Sequence, residues 1–186
     1  MNKIDSLIES YKRHISLPFR KERDLTQRTW IAVYPPEEEL RLRSKVDEFE
    51  IATKANEYHW KSIDFTDSLA DWLDSMPEQK RKECLADDEN TADIAKPLFM
   101  RFLAEKIKTS IEETPVEKVD KTVFAILGTM GIYDFAFISE VFECLSKNLP
   151  GNLLLFFPGE KEGNIYKFLN ARKGWNYMAV PILAGS

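Results

Sequence analysis

Two uninterrupted apolar stretches decide the fold: VFAIL at residues 123–127, followed by GTMG at residues 128–131, and LLLFF at residues 153–157. Apolar side chains at successive positions are typical of a strand that is buried on both faces. The first stretch runs into a turn that contains two glycines, and the second stops at Pro158 and Gly159. Strands of this kind occur in parallel sheets that helices cover on both sides.

Outward from these stretches, the pattern predicts three further strands, at residues 29–34, 58–65 and 177–180. Apolar residues at helical spacing predict the helices, which we place at residues 3–16, 37–56, 66–76, 97–114, 135–149 and 165–171. We expect Thr66 to cap the third of these helices and Pro97 to open the fourth.

The charged segment at residues 78–96 is expected to be a solvated face or a loop. Because helices alternate with strands on either side of it, the sequence predicts a single α/β domain over residues 1–186. This domain is a sandwich with a mainly parallel sheet of about five strands flanked by helices.

The charge balance bears on the class of partner. The 186 residues include 26 Lys and Arg against 31 Asp and Glu, a formal net charge of −5, and the sequence pI is 5.2. An acidic chain is not expected to bind nucleic acid directly. No apolar run approaches the roughly 20 residues that cross a bilayer, and the N-terminus begins an amphipathic helix rather than a secretory signal. We therefore expect a soluble, cytoplasmic protein with no membrane contact.

Cysteine and histidine are sparse and dispersed. Cys84 and Cys144 are far apart, and His14 and His59 lie near neither. A zinc site needs three or four clustered ligands, so none is predicted. Two isolated cysteines fit a reducing compartment. We expect Cys144 to be packed, and both histidines to be structural or exposed rather than catalytic.

In an open parallel sheet, ligands bind beyond the carboxyl ends of the strands. The turn at residues 128–131 could aim backbone N–H groups at a phosphate, but it has neither the lysine of a P-loop nor the third glycine of a dinucleotide site. A plain tight turn is the favoured interpretation. Asp64 and Asp67 could bind a metal or act as acid and base, but Asp67 lies in the first turn of a predicted helix, where a carboxylate is favoured without any ligand. We predict no catalytic residue, cofactor or metal.

The most unusual stretches are residues 156–166 and 170–177, which place glycines, amides, aromatic residues and a lone arginine around the last two strands. Such residues make good interface contacts. The candidate partner-binding residues are Glu160, Asn164, Tyr166, Arg172, Trp175 and Asn176. The alternative is structural: Gly159 and Gly163 shape turns, while Tyr166, Trp175 and Tyr177 fill the edge of the core.

These stretches also carry a resemblance to a known family. The chain resembles the BrxB family, the small B component of BREX (bacteriophage exclusion) defence systems. The resemblance lies at residues 154–160 (LLFFPGE), 162–164 (EGN), Tyr166, Leu169, 171–172 (AR), 174–177 (GWNY) and 179–182 (AVPI), and in the N-terminal half at residues 17–20 (LPFR), 33–35 (VYP), 48–50 (EFE) and 71–73 (DWL).

The resemblance implies a cytoplasmic, non-catalytic component that is needed for phage restriction. It implies binding to the PglZ-type protein of the system, which is related to alkaline phosphatases, and it leaves contacts with other BREX components and homo-oligomerisation open. The family supplies no accepted catalytic residues to carry over. A different function remains open from the residues: a degenerate nucleotide- or nucleic-acid-binding domain that uses residues 128–131 or 159–164. A hydrolase acting through Asp64 or Glu160 has the least support.

Overall fold

The computed structural model describes residues 2–18, 24–86, 89–133, 136–145, 149–168 and 175–186. Its centre is a sheet of five strands in which every neighbouring pair is parallel. In chain order the strands are β1 (Thr29–Tyr34), β2 (His59–Asp64), β3 (Thr122–Leu127), β4 (Asn152–Pro158) and β8 (Val180–Ile182). Their spatial order is β2-β3-β4-β1-β8. The predicted α/β class, with a parallel sheet of five strands flanked by helices, is confirmed.

A second, smaller sheet follows β4. Its antiparallel strands are β5 (Glu160–Glu162), β6 (Ile165–Lys167) and β7 (Trp175–Asn176). The helix predicted at residues 165–171 is therefore wrong where the chain is described, because Gly163, at a φ of 58°, turns the chain back and pairs Glu162 with Ile165. Residues 169–174 lie outside the described part. The last strand begins at Val180, later than predicted.

The described helices flank the large sheet. They are α1 (Lys3–Ile15), α2 (Glu39–Ser44), α3 (Val46–Ala55), α4 (Ser68–Asp74), α5 (Glu78–Cys84), α6 (Glu89–Glu112), α7 (Val116–Val119) and α8 (Ile138–Glu143), with 3-10 turns at Pro36–Glu38 and Thr129–Ile132. The helix predicted at residues 37–56 is interrupted at Lys45, whose φ of −120° and ψ of 8° are not helical. The helix predicted at 135–149 is confined, in the described residues, to α8.

The charged segment at residues 78–96 is mostly helical rather than a loop. All residues of α5 are exposed except Arg81 and Cys84, which are half-buried, so the expected solvated face is present on a helix. Pro97 lies inside α6 instead of opening it. A proline in a helix interior removes one hydrogen bond of the ladder, and the helix nevertheless begins at Glu89, N-terminal to this residue.

The sheet separates two apolar clusters. On one face, side chains from α1, α2 and α3 pack on Trp30 and Phe156. On the other face, side chains from α4, α6, α7 and α8 pack on Phe124 and Phe157. Every residue of β1, β3 and β4 is buried, whereas half of the residues of β2, at the edge of the sheet, are exposed. The apolar composition of the central strands is thus explained by burial on both faces.

Because both faces of β4 are packed, two adjacent leucines should be equally sensitive to truncation. Leu154 lies in the cluster of α1 to α3 and Leu155 in the opposite cluster, and both are fully buried. Leu154→Ala and Leu155→Ala should each lower the free energy of unfolding by about 2–5 kcal/mol, measured by urea denaturation. A loss well below 1 kcal/mol for either variant would contradict burial on that face.

Candidate functional site

A hydrogen-bonded network joins the carboxyl ends of β1 and β2. We call it the Arg43 network; its members are Tyr34, Glu39, Arg43, Asp64 and Thr66. The guanidinium lies 2.7 Å from Glu39 Oε1, 3.1 Å from Asp64 Oδ2 and 2.7 Å from Thr66 Oγ1. The hydroxyl of Tyr34 donates to the Glu39 carboxylate. The planar fork of arginine, with its several donors, suits a site with three acceptors.

The electrostatics of the network stabilise the charged carboxylate of Asp64. Burial alone would raise the pKa of Asp64, but hydrogen bonds from Thr66 and Arg43 favour the carboxylate and lower the pKa below its ordinary value. The pKa of Tyr34 is raised, first by burial and then by the hydrogen bond to Glu39, so its hydroxyl stays protonated and acts as a donor. Two carboxylates and one guanidinium therefore hold β1, α2 and β2 together.

Both carboxylate oxygens of Asp64 are engaged within the network. Its Oδ1 accepts from the backbone N–H of Thr66 at 2.9 Å and from the Thr66 hydroxyl at 2.6 Å, while Oδ2 faces Arg43. Thr66 therefore does not cap α4 as predicted; the N-cap position is Asp67, whose side chain makes no capping bond. In the described ranges, no group of three or more His, Cys, Asp or Glu residues could hold a metal ion.

The glycine turn after β3 lies against the same loop. Gly128 has a φ of 73°, and a Cβ at this position would lie 2.4 Å from Asp64 Oδ1 and 2.5 Å from the Thr66 amide nitrogen. At Gly131, a Cβ would lie 2.5 Å from the Thr66 carbonyl oxygen. Both glycines thus allow close packing of the chain on itself. Since a carboxylate lies beside Gly128, the geometry favours the tight-turn interpretation over a phosphate site.

The small sheet borders a separate open cleft of about 350 Å³. Its walls are the turn at residues 24–27, the β5–β6 hairpin and the segment that enters β8. The lining residues are Asp24, Thr26, Gln27, Lys161, Asn164, Tyr166, Tyr177, Met178, Ala179, Val180 and Pro181. We call this the hairpin cleft. Its size lies within the range of ligand-binding clefts in proteins.

Two local constraints hold the hairpin in place. The Gly159 amide donates to the Tyr34 carbonyl at 2.8 Å, which joins the end of β4 to β1. A Cβ at Gly159 would lie 2.2 Å from the Lys167 carbonyl oxygen, so only glycine allows β6 to pass so close. At the hairpin turn, the Lys161 ammonium donates to the Gly163 carbonyl and lies 5.9 Å from the centre of the Tyr166 ring.

The structure places only some of the predicted site residues together. Asn164 is exposed and lines the hairpin cleft, whereas Glu160 is exposed on β5 but does not line it. Tyr166 is 1% exposed and packs edge-to-face on Phe157, so it belongs to the floor of the cleft and the edge of the core rather than to an exposed surface. Burial raises the pKa of Tyr166 to about 12.

The other three predicted site residues are not described at their side chains. Arg172 lies outside the described residues, and Trp175 and Asn176 contribute the backbone of β7. Other residues that line the cleft were not among the predicted site residues; they are Lys161, Met178 and the turn at residues 24–27. The turn precedes β1, and the parallel pairing of β1 with β8 places it beside the segment that enters β8.

The dispersed cysteines and histidines have ordinary environments. Cys144 is exposed, which corrects the expectation that it is packed: α8 ends at Glu143, and Cys144 is its C-cap. The His14 ring packs edge-on against Trp30 at 4.7 Å, a structural contact, and His59 is exposed on β2.

Comparison of the chain with protein-family models, with curated proteins and with solved structures finds no match. Across the described ranges, none of the helices combines the length and the apolar character that a membrane crossing requires.

The packing at Gly128 can be tested with a matched pair of variants. Gly128→Ala should destabilise the protein by more than the roughly 1–2 kcal/mol of a left-handed backbone, because the new methyl group overlaps Asp64 and Thr66. Gly163→Ala has a similar φ but nothing within 4 Å of its Cβ. It should show the backbone cost alone in urea unfolding. Equal losses in the two variants would count against the close packing.

Acidification provides a second test. The lowered pKa of Asp64 means that the unfolded chain binds its proton at a higher pH than the folded protein does. The resulting stability is complete above the unfolded value and is lost as pH falls below about 4. Asp64→Asn should therefore flatten the decline in unfolding free energy between neutral and acidic pH. Parallel pH profiles for the two proteins would contradict this assignment.

Proposed function

We propose that this chain is an assembly component of a BREX anti-phage defence system and binds the PglZ-type protein of that system at the hairpin cleft. The observation that carries the proposal is a convergence. Residues that carry the resemblance to the BrxB family line the cleft, although they come from separate stretches of the sequence. These residues are Asn164, Tyr166, Tyr177, Ala179, Val180 and Pro181.

The chemistry of the cleft suits a protein partner. Gln27 and Asn164 bring amide groups that both donate and accept hydrogen bonds. Lys161 and Asp24 bring opposite charges to the same opening. Mixed polar groups around an aromatic floor are common in protein interfaces, where aromatic residues and methionine are enriched.

Met178 offers an apolar contact at the opening. Its side chain is 80% exposed, although it lies between Tyr177 and Ala179, which are half-buried. Methionine is flexible and polarisable, so it adapts to an irregular partner surface. Burial of such an exposed side chain by a partner would contribute favourably to binding.

The proposal is tested by co-purification. Tagged chain should be recovered in a stoichiometric complex with the PglZ-type protein from cells that express the whole defence gene cluster, with the mass of the complex measured. Met178→Asp should reduce the recovered partner about 10-fold or more, because a carboxylate would be buried in the interface.

Leu40 on α2 provides the matched control. It is 83% exposed, close to the exposure of Met178, and it is not among the residues that line the cleft. Leu40→Asp should leave the complex unchanged. Recovery of the wild-type chain alone would contradict the proposed function, whereas equal effects of the two substitutions would show that the contact lies elsewhere.

A further inference from the structure

The two edges of the large sheet differ in how they are protected. β8 is short and carries Pro181, which has no N–H to offer to another strand. Short strands and proline are typical protections of a sheet edge. β2 is longer and contains no proline, and among the described residues it pairs only with β3. Such an edge is a template for a further strand.

The backbone groups that β2 directs outward are known from its bonds to β3. The amide of His59 donates to the Lys121 carbonyl, and the amide of Phe65 donates to the Leu127 carbonyl. Since the N–H and C=O of one residue point to the same side of a strand and alternate along it, odd-numbered residues face β3. Trp60, Ser62 and Asp64 therefore direct their N–H and C=O groups away from the sheet.

The charged side chains do not block this edge. The Lys61 ammonium lies 3.0 Å from the Ser110 carbonyl oxygen and 3.1 Å from Glu113 Oε2, so it is turned towards α6 and its C-terminal end. Asp64 is held by Thr66 and Arg43 in the Arg43 network. Lysine on an edge strand usually discourages pairing, but here its charge is directed onto the chain's own helix.

We propose that β2 pairs with β2 of a second copy of this chain, antiparallel and centred on Ser62, so that two five-stranded sheets join. This register follows from symmetry. A twofold axis perpendicular to the sheet must pass midway between one residue and the same residue of the second copy. Centred on Ser62, the pairing sets Ser62 opposite its copy and Trp60 opposite Asp64 of the other chain. All outward groups of β2 are then used, and each pair exchanges two hydrogen bonds.

The neighbouring registers are less favourable. Centring on Lys61 would set Asp64 opposite Tyr58, which lies before the start of β2 and whose amide donates to the Thr53 carbonyl. Centring on Ile63 would leave the outward groups of Trp60 beyond the end of the partner strand. The Ser62 register instead places Lys61 opposite Ile63 of the second copy, so no like charges are opposed.

A cysteine cross-link tests both the dimer and its register. In this pairing the two Cα atoms at position 62 are about 5.5 Å apart, within the range of about 4.4–6.8 Å that a disulfide spans. Ser62→Cys, with Cys84 and Cys144 replaced by serine, should form a covalent dimer on mild oxidation. His59→Cys in the same background is the control, since its two copies would be roughly 20 Å apart along the strands.

Solution mass provides the second readout. The wild-type chain should have twice the 21.6 kDa of one chain by light scattering, and Ser62→Pro should be monomeric. The proline removes an N–H that faces away from β3, so the hydrogen bonds between β2 and β3 are kept and the fold should be retained, which thermal unfolding of this variant checks. Ser62→Ala keeps that N–H and should remain dimeric. A monomeric wild-type chain would overturn the proposal. So would a dimer that persists in Ser62→Pro or cross-links equally at position 59.

Discussion

The burial of β1, β3 and β4 on both faces is the constraint on which the rest of the structure depends. These strands expose no side chain to solvent. Polar residues that bind a ligand or a partner must therefore lie at the ends of strands, at the sheet edges or on the helices. The helices in turn must supply two apolar surfaces, which explains why the buried residues form two clusters separated by the sheet. The Arg43 network and the hairpin cleft both lie outside this apolar centre.

The carboxyl edge of the sheet is where a parallel α/β fold usually binds ligands, and here much of it is engaged by the chain itself. Arg43 from α2 joins the ends of β1 and β2, while Gly128 and Gly131 bring the turn after β3 against Thr66. The glycines are thus explained by contacts within the chain. The cleft that remains open lies instead beside the small sheet, against the turn that precedes β1.

The sequence predicted the class of the fold because the apolar runs are long enough to define buried strands without knowledge of their partners. The helix predicted at residues 165–171 is wrong at β6, since three residues are too few to separate helical from strand periodicity. The turn at Gly163 leads the chain into an antiparallel strand there. The prediction also failed for Pro97, where packing of the rest of α6 overrides a local rule. Asn164, which was predicted from its unusual neighbours, lines the hairpin cleft. The turn at residues 24–27 was not predicted, because it reaches the cleft through the pairing of β1 with β8, which the sequence does not reveal.

The two proposed contact surfaces lie at opposite edges of one sheet. β2 forms one edge, and β8, whose Val180 and Pro181 line the hairpin cleft, forms the other, with β3, β4 and β1 between them. At about 4.8 Å for each strand spacing, the edges are roughly 19 Å apart, so pairing at β2 would leave the cleft accessible. A twofold dimer would then present two clefts at the far ends of a continuous sheet. Two linked binding sites in one dimer increase the avidity for a multivalent partner without any new contact. Self-association at β2 would therefore strengthen binding of such a partner at the hairpin cleft.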